Sequence, residues 1–158
     1  MTSTLPAQPS TAPVAMVNLV NTIGLQPAAQ SVDSQYQFGL TIGEPYGGWE
    51  VADGIYIPKV ERNAQIFQMV SGPVFGWLRE DYVLPFECFT YRGGDDYLTV
   101  HQRIWGLVNA VEQAVRADPT LGNVVVEAVP ESSPVTYGWN ETGRVATATV
   151  NVKCFAVI

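Results

Sequence analysis

The chain has 158 residues, which is enough for one domain with a hydrophobic core and too few for two. The formal net charge is −7 and the eight Lys and Arg residues are scattered, which argues against tight nucleic-acid binding because that binding needs clustered cations. No apolar run approaches the ~18–20 residues of a membrane-spanning helix, so no membrane partner is expected.

Residues 1–12 are rich in Ser, Thr, Pro and Ala, a composition that predicts a flexible N-terminal arm before a single domain of residues 13–158. The arm lacks the positive charge and the apolar core of a secretory signal. Cys88 and Cys154 both lie in strand-like segments, so we expect two buried thiols in a reducing compartment. Whether these two cysteines lie close together stays open.

A short helix is predicted at residues 13–24, with Pro13 in its first turn and Gly24 at its end. The expected shared side of this helix carries Val14, Val17, Val20 and Asn21.

Three short strands are predicted next, at residues 35–42, 54–58 and 64–72, with turns where Gly and Pro cluster. Apolar residues occur on both sides of the third strand. We therefore expect both of its faces to be partly covered.

Residues 73–83, PVFGWLREDYV, predict an extended hairpin tip or a long loop, because Pro, Gly and a charged cluster occur together. Aromatic residues exposed on a loop often contact a partner, although they can also fold back onto the domain. The interface candidates in this segment are Phe75, Trp77, Arg79, Glu80, Asp81 and Tyr82.

The strongest helical pattern covers residues 99–116, directly after a strand at residues 84–92. Thr99 and Gln102 have the spacing of a capping box, and Asp95 and Asp96 suit the positive end of the helix dipole. The apolar stripe consists of Ile104, Leu107, Val108, Val111, Ala114 and Val115. The opposite, polar face carries Arg103, Asn109, Glu112, Gln113 and Arg116.

A C-terminal β-hairpin is predicted after this helix. Its first strand starts at residues 123–129 and continues past a proline-containing bulge to residue 139, and the return strand covers residues 144–158. One face of the return strand is apolar, with Ala146, Ala148, Val150, Val152, Cys154, Ala156 and Ile158. The end of the first strand and the turn after it supply the second group of interface candidates, Tyr137, Trp139, Asn140 and Glu141.

The order of these elements predicts an α+β fold, with a mostly antiparallel sheet, the central helix and the short N-terminal helix packed on one face, and a C-terminal β-hairpin.

Few residues suit catalysis. His101 is the only histidine and has no Cys or His nearby in sequence, and Cys88 lies in an apolar strand. We therefore expect no enzyme activity, no metal and no cofactor. Two other classes stay open: a small metal-dependent or thiol enzyme that uses His101, Asp95 or Cys88, and a module that binds a ligand in a pocket.

The segments YRGGDD, RADPTLGNVV and ATATVNVKCFAVI, together with a GIYIP-like strand, give a layout that resembles the tail terminator proteins of long-tailed (siphovirus-type) bacteriophages. The most telling piece is residues 117–122, ADPTLG, at the helix end.

The resemblance implies an α+β virion protein that is assembled in the host cytoplasm and located at the head-proximal end of the tail. Its expected partners are copies of itself in a hexameric ring, the tail tube protein, and a neck or head-completion protein. The ring caps the tail tube and ends its polymerisation, and DNA passes through the pore without specific binding. The alternatives are a neck or head–tail joining protein and a tail tube subunit.

Overall fold

The computed structural model describes residues 10–30, 36–45, 52–67, 77–132 and 134–158. Their two helices and mostly antiparallel seven-stranded sheet confirm the predicted α+β class. In chain order the elements are α1 (Ala12–Gly24), β1 (Phe38–Ile42), β2 (Asp53–Ile57), β3 (Glu61–Phe67), β4 (Trp77–Gly93), α2 (Tyr97–Ala117), β5 (Glu127–Ser132), β6 (Thr136–Trp139) and β7 (Gly143–Val157).

The sheet is built on one long antiparallel ribbon of β4 and β7, which pair without interruption from Arg79 opposite Val157 to Gly93 opposite Gly143. Strands β2 and β3 both pair with β4, at opposite ends of it, and β5 and β6 pair in the same way with β7. Strand β1 pairs in parallel with β2, and this is the one parallel pairing among the described strands.

Helix α2 lies across the β4–β7 ribbon, and α1 packs against α2 and β1. All six residues of the predicted α2 stripe are buried, as are the β7 residues Ala146, Ala148, Val150, Val152, Cys154 and Ala156. Each fully buried aliphatic side chain contributes roughly 1.5–3 kcal/mol before entropy losses. The contact between α2 and the ribbon is therefore a main source of stability.

Helix α1 has nearly the predicted bounds but buries a different face. Leu19 and Ile23 are fully buried, whereas Val14 and Val17 are about half exposed. The predicted side of the helix carries three valines. The longer side chains of Leu19 and Ile23, on another side, face the core instead.

Of the two alternatives for residues 73–83, the long loop is wrong from Trp77 onward, because β4 begins there. Strands β3 and β4 pair antiparallel up to Phe67 opposite Trp77, which agrees with the hairpin alternative. Residues 68–76 lie outside the described residues. The charged cluster that suggested a loop lies in a strand whose side chains point alternately outward and toward the helices.

Strand β3 begins three residues before the predicted start, and the side chains of residues 61–65 are exposed. The apolar side chains on which the expectation of two partly covered faces rested, from residue 66 onward, lie outside the described part of the chain.

Helix α2 begins two residues before the predicted capping box. Asp96 is the N-cap, and its side chain accepts a hydrogen bond from the Thr99 N–H at 3.2 Å. The carboxylate predicted to favour the helix dipole thus also caps the first turn.

The predicted first strand of the C-terminal hairpin is two separate strands, β5 and β6, and β5 starts only at Glu127. Leu121, Gly122 and Asn123 have positive φ angles of 50°, 74° and 63°, so the chain turns there instead of extending. Both strands pair along β7, one after the other.

The two cysteines are free and buried. Cys88 pairs with Ala148 and Cys154 with Tyr82, so the thiols lie six positions apart along the ribbon, about 20 Å at 3.3 Å per residue. They cannot form a disulfide with each other.

We expect Val111→Asp to prevent soluble folding, because residue 111 is fully buried beneath the sheet and the new carboxylate would have no partner. Val14→Asp is the matched control, since Val14 is 52% exposed on α1. The measurement is the soluble yield and the melting temperature. A soluble Val111→Asp protein with wild-type melting would contradict this burial.

Candidate partner interface

Two of the predicted interface residues, Glu80 and Tyr82, are buried inside the chain and cannot contact a partner from the surface. Glu80 has no exposed side-chain area and Tyr82 is 2% exposed. Both lie on the helix-bearing face of β4, where the strand alternation places every second residue. Their assignment to an exposed loop is therefore wrong.

Glu80 ties the start of α1 to the sheet. Its carboxylate accepts hydrogen bonds from Ser10 Oγ at 2.9 Å, from the Thr11 N–H at 2.7 Å and from Arg62 Nε at 2.8 Å. Burial by itself raises the pKa of Glu80, but these hydrogen bonds outweigh burial and hold the pKa below its usual value. The last three residues of the predicted arm, 10–12, therefore pack against the domain.

Of the other candidates in this segment, the structure describes the side chains of Arg79 and Asp81. Arg79 and Asp81 are about half exposed and form an ion pair at 3.1 Å, and Arg79 stacks on the Phe155 ring at 4.3 Å. An exposed ion pair of this kind contributes little stability. Phe75 and the side chain of Trp77 lie outside the described residues.

The candidates of the second group lie at an exposed aromatic surface where β6 meets α2. Tyr137 is 48% exposed, Trp139 74% and Trp105 50%. We call Tyr137, Trp139, Trp105 and His101 the aromatic patch. Isolated exposed apolar residues are ordinary, but a contiguous group of large aromatics is typical of a contact surface.

Hydrogen bonds hold three members of the patch in fixed positions. The Trp105 indole N–H donates to the Tyr137 hydroxyl at 2.8 Å, and His101 Nδ1 lies 2.7 Å from the same oxygen. Because the indole can only donate, the Tyr137 oxygen accepts from Trp105 and its own proton is available to a neutral Nδ1 of His101. These three side chains are therefore preorganised, which lowers the entropy lost when they bind a partner.

Asn140 and Glu141 lie in the turn between β6 and β7. The Asn140 side-chain oxygen accepts hydrogen bonds from the N–H groups of Thr142 and Gly143, at 2.9 and 2.8 Å. Asn140 therefore shapes the turn, as Asn commonly does. Glu141 is exposed beside it.

A buried ion network, which the sequence did not indicate, connects the sheet with α2 and with the connector that follows α1. Asp53, at the start of β2, lies 2.6 Å from Arg92 of β4 and 2.8 Å from Arg103 of α2. Thr90 also donates to the Asp53 carboxylate. Arg103 donates further to the carbonyls of Ala28 and Gln30, so it fixes the connector that follows α1.

The network corrects the assignment of Arg103 to the exposed face of α2, since Arg103 is only 7% exposed. Helical periodicity places Arg103 at the border of the apolar stripe, and only the buried carboxylate across from it decides that the guanidinium turns inward. Asp53 precedes a short apolar strand, and nothing in the sequence pairs it with either arginine.

Burial by itself raises the pKa of Asp53, but hydrogen bonds from Arg92, Thr90 and Arg103 outweigh burial and hold the pKa below its usual value. Asp53 is therefore ionised at neutral pH, and its charge is matched by the two arginines. The network ties β2, β4, α2 and the α1 connector together directly beneath the end of the sheet that carries β1 and β6.

The residues considered for catalysis are not brought together. Burial, followed by the nearby Glu87 charge, raises the pKa of the Cys88 thiol to about 12, so it is not a thiolate nucleophile at neutral pH. His101 contacts Tyr137, not a carboxylate or a thiol. No three His, Cys, Asp or Glu side chains of the described ranges lie close enough to bind a metal.

A cavity of about 450 Å³ opens on the helix-free face of the sheet. Its lining is mainly apolar and includes Phe89, Tyr91, Val145 and Thr147. Its one amide side chain, Asn140, is already engaged in the β6–β7 turn. Few polar groups are thus available to orient a small ligand.

Comparison with known protein families finds no match, and no curated protein is similar to the chain. Neither described helix combines the length and apolar character of a membrane-spanning segment.

We expect Asp53→Asn to lower the free energy of unfolding by about 3–5 kcal/mol at pH 7, because it leaves two buried arginines without their counter-ion. Asp81→Asn is the control, since its exposed ion pair contributes less than about 1 kcal/mol. The measurement is urea unfolding. Equal losses in the two variants would contradict a structural role for the network.

The stability should also depend on pH in a predictable direction. The lowered pKa values of Asp53 and Glu80 mean that their stabilisation is complete above the unfolded pKa, about 4, and is lost as pH falls through the folded pKa values. Between pH 5 and pH 3 the wild-type protein should therefore lose more stability than Asp53→Asn. Parallel pH profiles would show that Asp53 is not the group responsible.

Proposed function

We propose that this chain is a bacteriophage virion protein of the tail terminator type, which works by binding and not by catalysis. Copies of it form a ring that caps the tail tube, ends tube polymerisation and presents a surface to a neck or head-completion protein. The observation that carries the proposal is the aromatic patch, a group of exposed side chains at the edge of the sheet, three of which are hydrogen-bonded together.

Two further observations support this function. The α+β class with both helices on one face agrees with what the sequence resemblance implies. The buried charges of the described residues, Asp53 and Glu80 against Arg92 and Arg103, cancel, so the net charge of −7 is carried by the rest of the chain. An acidic ring suits a channel through which DNA moves without sticking.

The test adds the purified protein to polymerising tail tube protein of the same phage and measures tube length by negative-stain microscopy. We expect rings of a single subunit layer that bind tube ends and stop elongation. A strictly monomeric protein that leaves polymerisation unchanged would refute the proposal. Polymerisation of the protein alone would favour a tube subunit, and binding to heads but not to tubes would favour a neck or joining protein.

Trp139→Ala tests the contribution of the patch. Truncating a central exposed tryptophan of an interface typically costs about 2 kcal/mol or more, so we expect capping to require roughly 30-fold more protein. Val14→Ala removes an exposed apolar residue far from β6 in sequence and should cap tubes like the wild type. Unchanged capping by Trp139→Ala would exclude the patch from the function.

A further inference from the structure

The four outer strands of the sheet differ in how well their free edges are protected against pairing. β5 contains Pro130 and the charged Glu127 and Glu131, and β3 begins with Glu61 and Arg62. Charges and proline on an edge strand discourage pairing with other chains. β1 (FGLTI) and β6 (TYGW) contain neither, and no described strand pairs with their outer sides.

These two unprotected strands lie at the same end of the sheet, on opposite edges. β1 pairs with β2, and β2 in turn pairs with residues 87–90 of β4. β6 reaches β4 through residues 144–147 of β7, which pair with residues 89–92 of β4. The pairing directions make β1 antiparallel to β4 and β6 parallel to it, so the two edges run in opposite directions.

Backbone hydrogen-bonding groups point outward from both edges. The Asn140 N–H donates to the Gly143 carbonyl at 2.9 Å, so alternation along β6 turns the N–H and C=O groups of Tyr137 and Trp139 away from β7. The Gly43 N–H donates to the Ile57 carbonyl at 2.8 Å, so the corresponding groups of Leu40 and Ile42 point away from β2.

The side chains of the two edges also match. Tyr137 contacts α2, so it and Trp139 lie on the helix-bearing face, and the register with buried Ile55 and Ile57 places Leu40 and Ile42 on the same face. The other face carries only small residues, Gly39 and Thr41 on β1 and Thr136 and Gly138 on β6.

We infer that β6 of one copy pairs antiparallel with β1 of the next copy, with Tyr137 opposite Leu40, so that the sheets of neighbouring subunits join. This inference rests on the proposed ring assembly and names its subunit contact. This register displaces one copy relative to its neighbour by only two residues, about 7 Å along the strands. It places outward N–H and C=O groups opposite each other and large apolar side chains together.

The contact is head-to-tail, because β6 and β1 are different surfaces, and such contacts generate closed rings when the rotation closes. Tyr137, Trp139 and Trp105 together expose on the order of 400 Å², about half of the ~800 Å² that each partner buries in a stable interface. Edge pairing and neighbouring parts of α2 must supply the rest. A subunit that has a neighbour on each side therefore buries more surface than a subunit in an isolated pair.

Cysteine cross-linking tests this pairing directly. The register places Thr41 of one copy opposite Thr136 of the next as a pair without ladder hydrogen bonds, with Cα atoms about 4.5 Å apart, which suits a disulfide. Mild oxidation of mixed Thr41→Cys and Thr136→Cys proteins should give covalent dimers, and neither variant alone should. The double variant should give a ladder that ends at the subunit number of the ring.

An Asn63→Cys and Val129→Cys mixture is the control, because it places exposed thiols on the protected edges, β3 and β5. It should not cross-link. Dimers of Thr136→Cys alone would show that β6 pairs with itself, and equal cross-linking of the control mixture would show non-specific collision. Either result, or no cross-link in the test mixture, would overturn the inference.

Tyr137→Pro and Tyr137→Ala provide a second test. Both remove the phenol, but only proline also removes the outward N–H, and it leaves the ladder to β7 intact. We expect Tyr137→Pro to weaken ring formation at least tenfold more than Tyr137→Ala. The monomers of the two variants should have the same melting temperature. Equal ring formation by the two variants would overturn the edge pairing.

Failure of the inference and failure of the proposed function give different results. Wild-type rings that cap tubes but do not cross-link through residues 41 and 136 would reject only the edge pairing. Rings that cross-link as expected but leave tube growth unchanged would reject only the terminator function.

Discussion

The unbroken pairing of β4 with β7 is the constraint on which the rest of the structure depends. The other strands attach to this ribbon, apart from β1, which attaches through β2. The ribbon is covered by α2 on one face. Buried residues of β7 alternate with half-buried or exposed ones, whereas residues 84–92 of β4 are all buried or half-buried. Since each flanking strand covers only part of β4 or β7, the sheet has four separate outer strands instead of two long edges.

Buried charges fix how the helices sit on this ribbon. Asp53 connects β2 and β4 with α2 and, through Arg103, with the connector after α1. Glu80 holds the start of α1 at the other end of β4. Ionic and hydrogen-bonded groups accept only a narrow range of positions, unlike apolar contacts, so these two sites define the orientation of the helices. The Asp53 network also supports the end of the sheet where β1 and β6 lie.

The surface at that end combines features that suit assembly. It has two edge strands that lack charges and proline, an aromatic patch next to one of them and apolar side chains on the same face of both. The opposite end has the charges and the proline that discourage edge pairing. This asymmetry supports the proposed pairing of β6 with β1 of the next copy at a single level.

The sequence alone determined the α+β class, the buried stripe of α2 and the apolar face of β7, because local periodicity reports which side of an element meets a core. The proposal that Tyr137 and Trp139 are contact residues stays a prediction, and the structure places both on the edge strand β6. Only the tertiary structure decided that Glu80 and Tyr82 are buried, that Arg103 turns inward to Asp53, and that β1 and β6 lie at one level with outer edges that no described strand covers. Those features depend on partners that are far apart in sequence, such as Thr11 and Glu80 or Asp53 and Arg92, and no local pattern encodes such pairs.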